Sequence, residues 1–414
     1  MIENVGEGED IASTRRVLMG LGVKISQLNE STWAVDGLGG IQGFTAPQER
    51  LDCGNSGTTM RLMAGLLSGC SFEVTLSGDH SLSRRPMNRI ERVLKPLNRQ
   101  LSTQERGGAP ITIGGALSRS KILSSHDRDE IVVIDTQSSS AQLKSAALLA
   151  ALSDPRRVEV REERLSRDHS ERMLAALWGR EPSLSIPSET PAIPPFHLIS
   201  PGDFSSASFW IAIGALSPHN APMIELKGIN LNPSRLGFAR IAERMGVQLD
   251  FRCEETRLGE PVGTLRVFPP AVGHELKAVN LSRQEIVDAL DELPLVALLA
   301  AFAEGESIIK DAQELRVKES DRIEAMAQGL SQLGVHIHAQ EDGWRIKGNP
   351  EHYITEHCTV DGYGDHRIAM CLMIAQLRQR EDGVIKVEGS ECLAISYPEF
   401  PTTFDAYRAE IPLA

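Results

Sequence analysis

Residues 235–247 read Arg-Leu-Gly-Phe-Ala-Arg-Ile-Ala-Glu-Arg-Met-Gly-Val, and this pattern decides the fold prediction. Apolar residues recur at helical spacing, and the stretch closes on Gly246 followed by an apolar residue. The pattern returns at 14–23 and 321–335, and less regularly at 86–101 and 170–179. Strand-like sequence follows each copy. The copies lie roughly 70 to 90 residues apart, above the repeat length of solenoids, so we predict repeated α/β units.

Short β-branched or alternating runs lie between these helical stretches, each about the length of one strand. They are Glu73-Val-Thr-Leu76, Ile131-Val-Val-Ile134 and Arg157-Val-Glu-Val160, among others. We therefore predict a mixed α/β fold. At 414 residues the chain exceeds the size at which one core usually stops growing. The Pro- and Ser-rich stretch 182–201 places the predicted boundary near residue 200, which gives domains 1–200 and 201–414.

The composition is that of an ordinary globular chain, with 41% apolar and 24% charged residues. A net charge of −13 without a Lys/Arg-rich block argues against nucleic-acid binding. The longest apolar run, 293–303, is far shorter than the roughly 20 residues that a membrane-spanning helix needs. The first residues are acidic and lack an apolar signal core, and the six cysteines lie far apart. We expect a cytoplasmic protein with reduced thiols and no membrane role.

A candidate anion site lies at 51–63, Leu-Asp-Cys-Gly-Asn-Ser-Gly-Thr-Thr-Met-Arg-Leu-Met. Gly54 and Gly57 precede a helical pattern, so the backbone can approach an anion where the free N–H groups and the helix dipole favour negative charge. A helix-capping turn without a ligand is the alternative. No Gly-Lys-Ser/Thr sequence follows, which argues against a Walker-type nucleotide loop.

Three arginines lie near predicted helix starts, where a cation opposes the helix dipole. Arg322 follows the candidate caps Ser320 and Asp321, Arg367 follows an Asp-His pair, and Arg167 lies in a Ser-Arg-Asp-His segment. Each one alone is consistent with a solvated surface arginine. Together they favour a site for an anionic ligand.

Two further segments place polar groups before apolar helices. Residues 138–150 begin Ser-Ser-Ser-Ala-Gln-Leu-Lys, which suits a polyol phosphate, although a well-capped helix is the alternative. Asp291 precedes a strongly apolar helix, so we expect a carboxylate there to be partly desolvated and basic unless it only caps the helix. The histidines show no metal-ligand spacing and no Gly-x-Ser-x-Gly elbow occurs, so we predict no metal site and no serine-hydrolase chemistry.

Several blocks of the sequence, in order, resemble the signature segments of the 5-enolpyruvylshikimate-3-phosphate (EPSP) synthase family. They are 51–62, 78–89, 140–150, 166–174, 291–322, 364–370 and 396–400. Lys144, the Ser-Arg-Asp-His block and the Ser-Tyr-Pro-Glu-Phe ending are more similar to the class II branch. The resemblance implies an enolpyruvyl transferase fold of two domains. Each would have three copies of one α/β unit, with helices inside and sheets outside, and the domains would close over the substrates.

The resemblance also implies a reaction and the residues that perform it. The enolpyruvyl group of phosphoenolpyruvate would be transferred to the 5-hydroxyl of shikimate 3-phosphate, a step of aromatic amino acid biosynthesis, by a monomer without metal or organic cofactor. The residues implied to hold shikimate 3-phosphate are Ser140, Ala141, Gln142, Arg167, Asp291 and Lys318. Those implied to surround phosphoenolpyruvate are Gly57, Arg85, Gln142, Arg322 and Arg367. The implied catalytic residues are Asp291 as general base, Lys318 in the same region and Glu319, which would move protons at the methylene carbon.

The sequence departs from the family at its beginning. Members usually open with a Gly-Asp-Lys-Ser-x-Ser-His-Arg-like segment that touches both substrates, and the first residues here do not match it. Losing several charged contacts, each worth about 1.5–3 kcal/mol, would impair turnover. A misplaced start is one explanation, and a relative that binds shikimate 3-phosphate without turnover is the other.

Two further expectations concern neighbouring activities. Enolpyruvyl transferases acting on UDP-N-acetylglucosamine are an alternative family, but most carry a cysteine before the shared Arg-Pro, where residues 79–85 read Asp-His-Ser-Leu-Ser-Arg-Arg. Gly57 stands where alanine is associated with glyphosate tolerance in the EPSP synthase family. We therefore expect an active form of this chain to be inhibited by glyphosate.

Overall fold

The computed structural model describes residues 1–104, 107–115, 130–354, 357–380 and 384–411. The regular copies of the repeated pattern each fold into a helix, and a glycine lies two positions after its last residue. Gly22, Gly246 and Gly334 have φ angles of 92°, 103° and 83°, a conformation that costs a glycine little. The N–H of the following valine bonds to a carbonyl in the last helical turn, in the pairs Val23–Leu18, Val247–Ala242 and Val335–Leu330. These Schellman-type endings redirect the chain into the next strand.

The chain divides into two compact units. Unit 1 comprises Met1–Ser200 with Arg257–Glu260, and unit 2 comprises Pro201–Thr256 with Pro261–Ala414. In the described ranges, each unit contains three sheets. No helix in the same ranges is long and apolar enough to cross a membrane.

Unit 1 joins short strands to helices of moderate length. Its strands are β1 (Ile2–Glu3), β2 (Lys24–Asn29), β3 (Thr32–Asp36), β4 (Leu51–Asp52), β5 (Glu73–Ser77), β6 (Leu101–Ser102), β7 (Ile111–Gly114), β8 (Val132–Asp135), β9 (Val158–Arg161), β10 (Ser185–Ile186) and β11 (Leu198–Ile199). Its helices are α1 (Glu9–Gly20), α2 (Gly57–Leu67), α3 (His80–Arg84), α4 (Arg89–Leu94), α5 (Ala141–Ala151) and α6 (His169–Trp178). The sheets have the strand orders β11-β1-β3-β2, β4-β5-β7-β6 and β10-β9-β8.

Unit 2 repeats this alternation with longer strands. Its strands are β12 (Ile224–Asn230), β13 (Leu249–Arg257), β14 (Glu260–Val267), β15 (Gly305–Ile309), β16 (His336–Gln340), β17 (Gly343–Gly348), β18 (His357–Asp361) and β19 (Val384–Glu388). Its helices are α7 (Phe204–Leu216), α8 (Gly237–Arg244), α9 (Arg283–Asp288), α10 (Leu293–Ala301), α11 (Arg322–Gln332), α12 (His366–Ile374) and α13 (Phe400–Glu410). The sheets have the orders β12-β14-β13, β15-β17-β16 and β18-β19.

Helices form the interior of unit 2. Every residue of α10 is buried, and α7 is buried except at Ser206, because both helices are apolar on all sides. The sheets expose one face, as β16 does at His336 and His338. The predicted mixed α/β fold with helices inside and sheets outside is confirmed.

In unit 1 a glycine brings two helices into close contact. A Cβ atom on Gly65 of α2 would lie 2.2 Å from the carbonyl oxygen of Ala146 in α5, so a larger residue would push the helices apart. Gln142 of α5 donates to Thr58 Oγ1 of α2 at 2.8 Å, so the first turns of the two helices lie side by side. Both turns carry residues singled out in the sequence.

Candidate active site

Arg322 lies at the first position of α11 and is buried, with 1% of its surface exposed. Asp321 is the N-cap and accepts the N–H of Glu324 at 3.1 Å, so the predicted helix start is confirmed. The alternative of a solvated surface arginine is wrong for Arg322. A buried guanidinium at a helix N-terminus needs neighbouring negative charge, because burial and the dipole both oppose it.

Carboxylates supply that charge. Arg322 Nε lies 2.7 Å from Asp365 Oδ2, its NH2 lies 2.6 Å from Glu319 Oε2 and its NH1 lies 3.7 Å from Asp291 Oδ1. Burial works against the charged guanidinium, but Asp365 and Glu319 outweigh it and raise the pKa of Arg322. Burial also works against an ionised Asp365, yet Arg322 outweighs it and holds the pKa of Asp365 below its usual value. Both groups therefore stay charged.

Asp291 belongs to the short 3-10 turn Leu290–Glu292 and has a side chain that is 15% exposed. It is not the N-cap of α10, so the capping interpretation is wrong for this carboxylate. Lys318 Nζ lies 3.3 Å from Asp291 Oδ1 and 3.9 Å from Glu314 Oε1. The Asp291 carboxylate is therefore mostly buried and has two cationic neighbours, Lys318 and Arg322.

Arg367 lies in the first turn of α12, whose N-cap is Asp365. Its NH1 donates to the backbone carbonyl of Asp291 at 2.9 Å and lies 3.3 Å from Glu292 Oε1. Unit 2 therefore brings together all of its predicted site residues in one network, namely Asp291, Lys318, Glu319, Arg322 and Arg367.

His366 lies between Asp365 and Arg367 at the start of α12 and is 8% exposed. Burial lowers its pKa to about 4, with Arg367 adding to the effect and Asp365 opposing it. Its Nδ1 is buried and has no hydrogen-bond partner within the described ranges. The imidazole is therefore neutral at physiological pH and adds no positive charge to the network.

A second group of predicted residues lies in unit 1, around the start of α2. A Cβ atom on Gly57 would lie 3.0 Å from Arg61 NH1 and 3.1 Å from Arg85 NH1, so glycine leaves room for both guanidinium groups. Arg61 NH1 donates to Gln142 Oε1 at 2.5 Å, and Arg85 NH2 donates to Asn55 Oδ1 at 2.6 Å. Two arginines next to a helix N-terminus favour an anion there.

Ser140 is the N-cap of α5, but its side chain makes no capping hydrogen bond. The alternative of a well-capped helix is therefore wrong for this hydroxyl, which is partly exposed. Ala141 and Gln142 follow as the first residues of α5, and Gln142 donates to Thr58 Oγ1 at 2.8 Å. Ser140 and Gln142 thus present polar groups at the same helix start.

Arg167 follows Ser166 in the segment between β9 and α6, and a buried ion cluster holds Ser166 in place. Lys144 Nζ donates to the Ser166 carbonyl at 3.2 Å and lies 2.9 Å from Glu162 and 2.8 Å from Glu171. Glu162 accepts both the N–H and the hydroxyl of Ser166, at 3.2 and 2.5 Å. The segment that carries Arg167 is therefore anchored from the interior of unit 1.

Neither Arg61 nor Arg235 was predicted from the sequence as a site residue, and Glu292 and Asp365 were given no roles of their own. Arg61 could have been found, because it lies four positions after Gly57 and so on the same helix face. Arg235 could not, because its partner Glu292 is 57 positions away in the chain. In the part of the chain that the structure describes, no group of three or more His, Cys, Asp or Glu residues is arranged to hold a metal ion.

Comparison with known proteins shows the family. The family model described as EPSP synthase (3-phosphoshikimate 1-carboxyvinyltransferase) matches residues 1–404. The chain belongs to the EPSP synthase family. Curated relatives named 3-phosphoshikimate 1-carboxyvinyltransferase include that of Petrotoga mobilis, 38% identical over 99% of this chain and 91% of the relative. That of Lactiplantibacillus plantarum is 40% identical over 94% of this chain and 86% of the relative.

Solved structures agree with this assignment. The EPSP synthase of Acinetobacter baumannii is 33% identical with a TM-score of 0.79, covering 99% of this chain and 89% of that structure. The enolpyruvyl transferase NikO of Streptomyces tendae, at 16% identity and a TM-score of 0.69, covers 98% of this chain and 88% of that structure and shares the fold. The predicted membership in the EPSP synthase family is confirmed.

Proposed function

We propose that this chain transfers the enolpyruvyl group of phosphoenolpyruvate to the 5-hydroxyl of shikimate 3-phosphate, giving EPSP and inorganic phosphate. The observation that carries the proposal is the network around Arg322. There, cations meet carboxylates at converging helix starts in a partly buried setting. Such a site can stabilise anionic substrates and also move protons.

The proposed reaction is an addition followed by an elimination. Protonation of phosphoenolpyruvate at the methylene carbon makes its C2 electrophilic, and the 5-hydroxyl adds there while Asp291 accepts its proton. The C–O bond to phosphate then breaks, the phosphate leaves with the proton that Asp291 accepted, and the methyl group returns a proton to restore the double bond. Glu319 is the proposed donor and acceptor at this carbon, because an anionic ligand beside its carboxylate favours the protonated form.

The remaining roles follow from charge and position. We assign the phosphoenolpyruvate anion to Arg322, Arg367 and Arg85, and the polar contacts of shikimate 3-phosphate to Ser140, Gln142 and Arg167. These assignments are supported by the helix-start positions of Arg322, Arg367 and Ser140. Lys318 is assigned to Asp291 and the 5-hydroxyl, because its ammonium lies 3.3 Å from that carboxylate.

The test is steady-state release of inorganic phosphate with both substrates present. Asp291→Asn keeps the side-chain shape but cannot accept the proton, so kcat should fall about 100-fold or more. Asp288→Asn is the matched control, because Asp288 ends α9 and accepts a hydrogen bond from Gln284 instead. Equal rates in wild type and Asp291→Asn would contradict the proposed base.

Two further measurements distinguish the proposed transferase from an enzyme acting on UDP-N-acetylglucosamine and from a binding protein without turnover. UDP-N-acetylglucosamine in place of shikimate 3-phosphate should release no phosphate. Binding of shikimate 3-phosphate measured by calorimetry, without phosphate release on adding phosphoenolpyruvate, would instead favour a binding protein without turnover.

A further inference from the structure

Glu292 is adjacent to Asp291 in the same 3-10 turn but has a different set of partners. It is 1% exposed, and although it is the N-cap residue of α10, its side chain makes no capping hydrogen bond. Its Oε1 accepts a hydrogen bond from the Ser205 hydroxyl and lies 3.4 Å from Arg235 NH2 and 3.3 Å from Arg367 NH1. A single carboxylate oxygen is thus the meeting point of two guanidinium groups.

This arrangement is not one that stability alone would favour. Glu292 Oε2 and Arg235 NH1 are both buried and have no hydrogen-bond partner within the described residues. Buried polar atoms are normally paired, because leaving one unpaired costs free energy. The cluster keeps these unpaired atoms at a candidate active site, although pairing them would make the fold more stable. This favours a role in holding a neighbouring side chain in position.

Arg367 is the side chain that this cluster holds. Its NH1 is fixed at two points, by Glu292 Oε1 and by the Asp291 carbonyl, while its Nε and NH2 make no hydrogen bond to the described residues. The side chain is 15% exposed, so part of it is accessible. The Nε–NH2 edge of a guanidinium is suited to bidentate binding of a carboxylate or phosphate.

We propose that Glu292 is a positioning residue that fixes Arg367 by one edge and so presents the other edge to the phosphoenolpyruvate anion. This inference rests on the function proposed above. Arg235 and Ser205 contact the same carboxylate oxygen and hold it in place. Because Arg367 also bonds to the Asp291 carbonyl, one turn of chain orients both the proposed base and the anion-binding arginine.

The test compares Michaelis constants for the two substrates. Glu292→Gln removes the negative charge but keeps the shape, and it should raise KM for phosphoenolpyruvate about 10-fold to 100-fold, the loss expected from a charge-assisted hydrogen bond. KM for shikimate 3-phosphate should change less than about twofold. Glu285→Gln is the control, because Glu285 pairs with Arg244 and caps α9, away from Arg367. It should leave both Michaelis constants unchanged.

Ser205→Ala keeps the test decisive if Glu292→Gln does not fold. It removes only the hydroxyl that holds Glu292 Oε1, and it should raise KM for phosphoenolpyruvate about 2-fold to 10-fold. Unchanged KM for phosphoenolpyruvate in the folded variant, or an equal rise for both substrates, would overturn the inference.

A binding measurement tests the positioning role separately if the proposed transferase activity is absent. If wild type releases no phosphate, the Kd of phosphoenolpyruvate is compared by calorimetry in wild type and the folded variant. A weaker Kd in the variant supports the positioning role, and an equal Kd overturns it.

Discussion

Replacing Lys144 by methionine should destabilise unit 1 strongly. Lys144 is 1% exposed and lies within 3 Å of two carboxylates, whose side chains are 0% and 6% exposed, at Glu162 and Glu171. Methionine fills a similar volume, but it leaves the two buried carboxylates without their cation. Removing one partner of a buried ion pair costs about 3–5 kcal/mol, so we expect a loss in this range at pH 8.

The loss of stability in Lys144→Met should depend on pH. Burial already raises the pKa of Glu171, although Lys144 opposes it. Without Lys144 the folded state favours the protonated form of Glu171 still more, so above about pH 4.3 it binds more protons than the unfolded chain. Stability of the variant therefore falls as pH rises, and the deficit relative to wild type should be larger at pH 8 than at pH 5.

The assay is urea unfolding followed by circular dichroism and tryptophan fluorescence at both pH values. Lys277→Met is the control, because Lys277 and Glu304 form a surface pair whose side chains are each 60% exposed. It should leave the free energy of unfolding unchanged within error. A loss below about 1 kcal/mol for Lys144→Met, or a deficit that does not vary with pH, would refute this account of the cluster.

Further predictions concern Gly57 in unit 1 and His366 in unit 2. Gly57→Ala places a methyl group 3.0 Å from Arg61 and 3.1 Å from Arg85, so KM for phosphoenolpyruvate should rise a few-fold and glyphosate inhibition should weaken. Phosphate-release assays with and without glyphosate measure both effects, and unchanged inhibition would contradict them. The low pKa of His366, about 4 against an ordinary 6.5, means that stability is lost as pH falls from 6.5 towards 4, by about 3 kcal/mol in total. His366→Gln should flatten that dependence in urea unfolding at pH 4 to 7, whereas the exposed His336→Gln should keep it.

Local features of the sequence predicted local structure well. The cap at Asp321 and the glycine at Gly334 are sufficient to place both ends of α11, because capping depends on residues within one or two turns. The same holds for the start of α12 at Asp365. The mixed α/β fold followed from this alternation of capped helices and short strands.

Burial and pairing of charges were harder to predict. A solvated surface arginine remained an alternative for Arg322, because its partner Asp365 lies 43 positions away in the chain. Arg61 bonds to Gln142 across 81 positions. Such contacts depend on how distant helices pack together. The spacing of residues within one segment does not predict that packing.

The most direct test of the central claim is phosphorus NMR of the 414-residue chain mixed with shikimate 3-phosphate and phosphoenolpyruvate. If the chain transfers the enolpyruvyl group, the phosphoenolpyruvate signal should disappear as inorganic phosphate appears in equal amount. The 3-phosphate signal should shift to that of a new ester of the same intensity. Phosphate released without shikimate 3-phosphate, or no change in any signal, would contradict the proposed enolpyruvyl transfer.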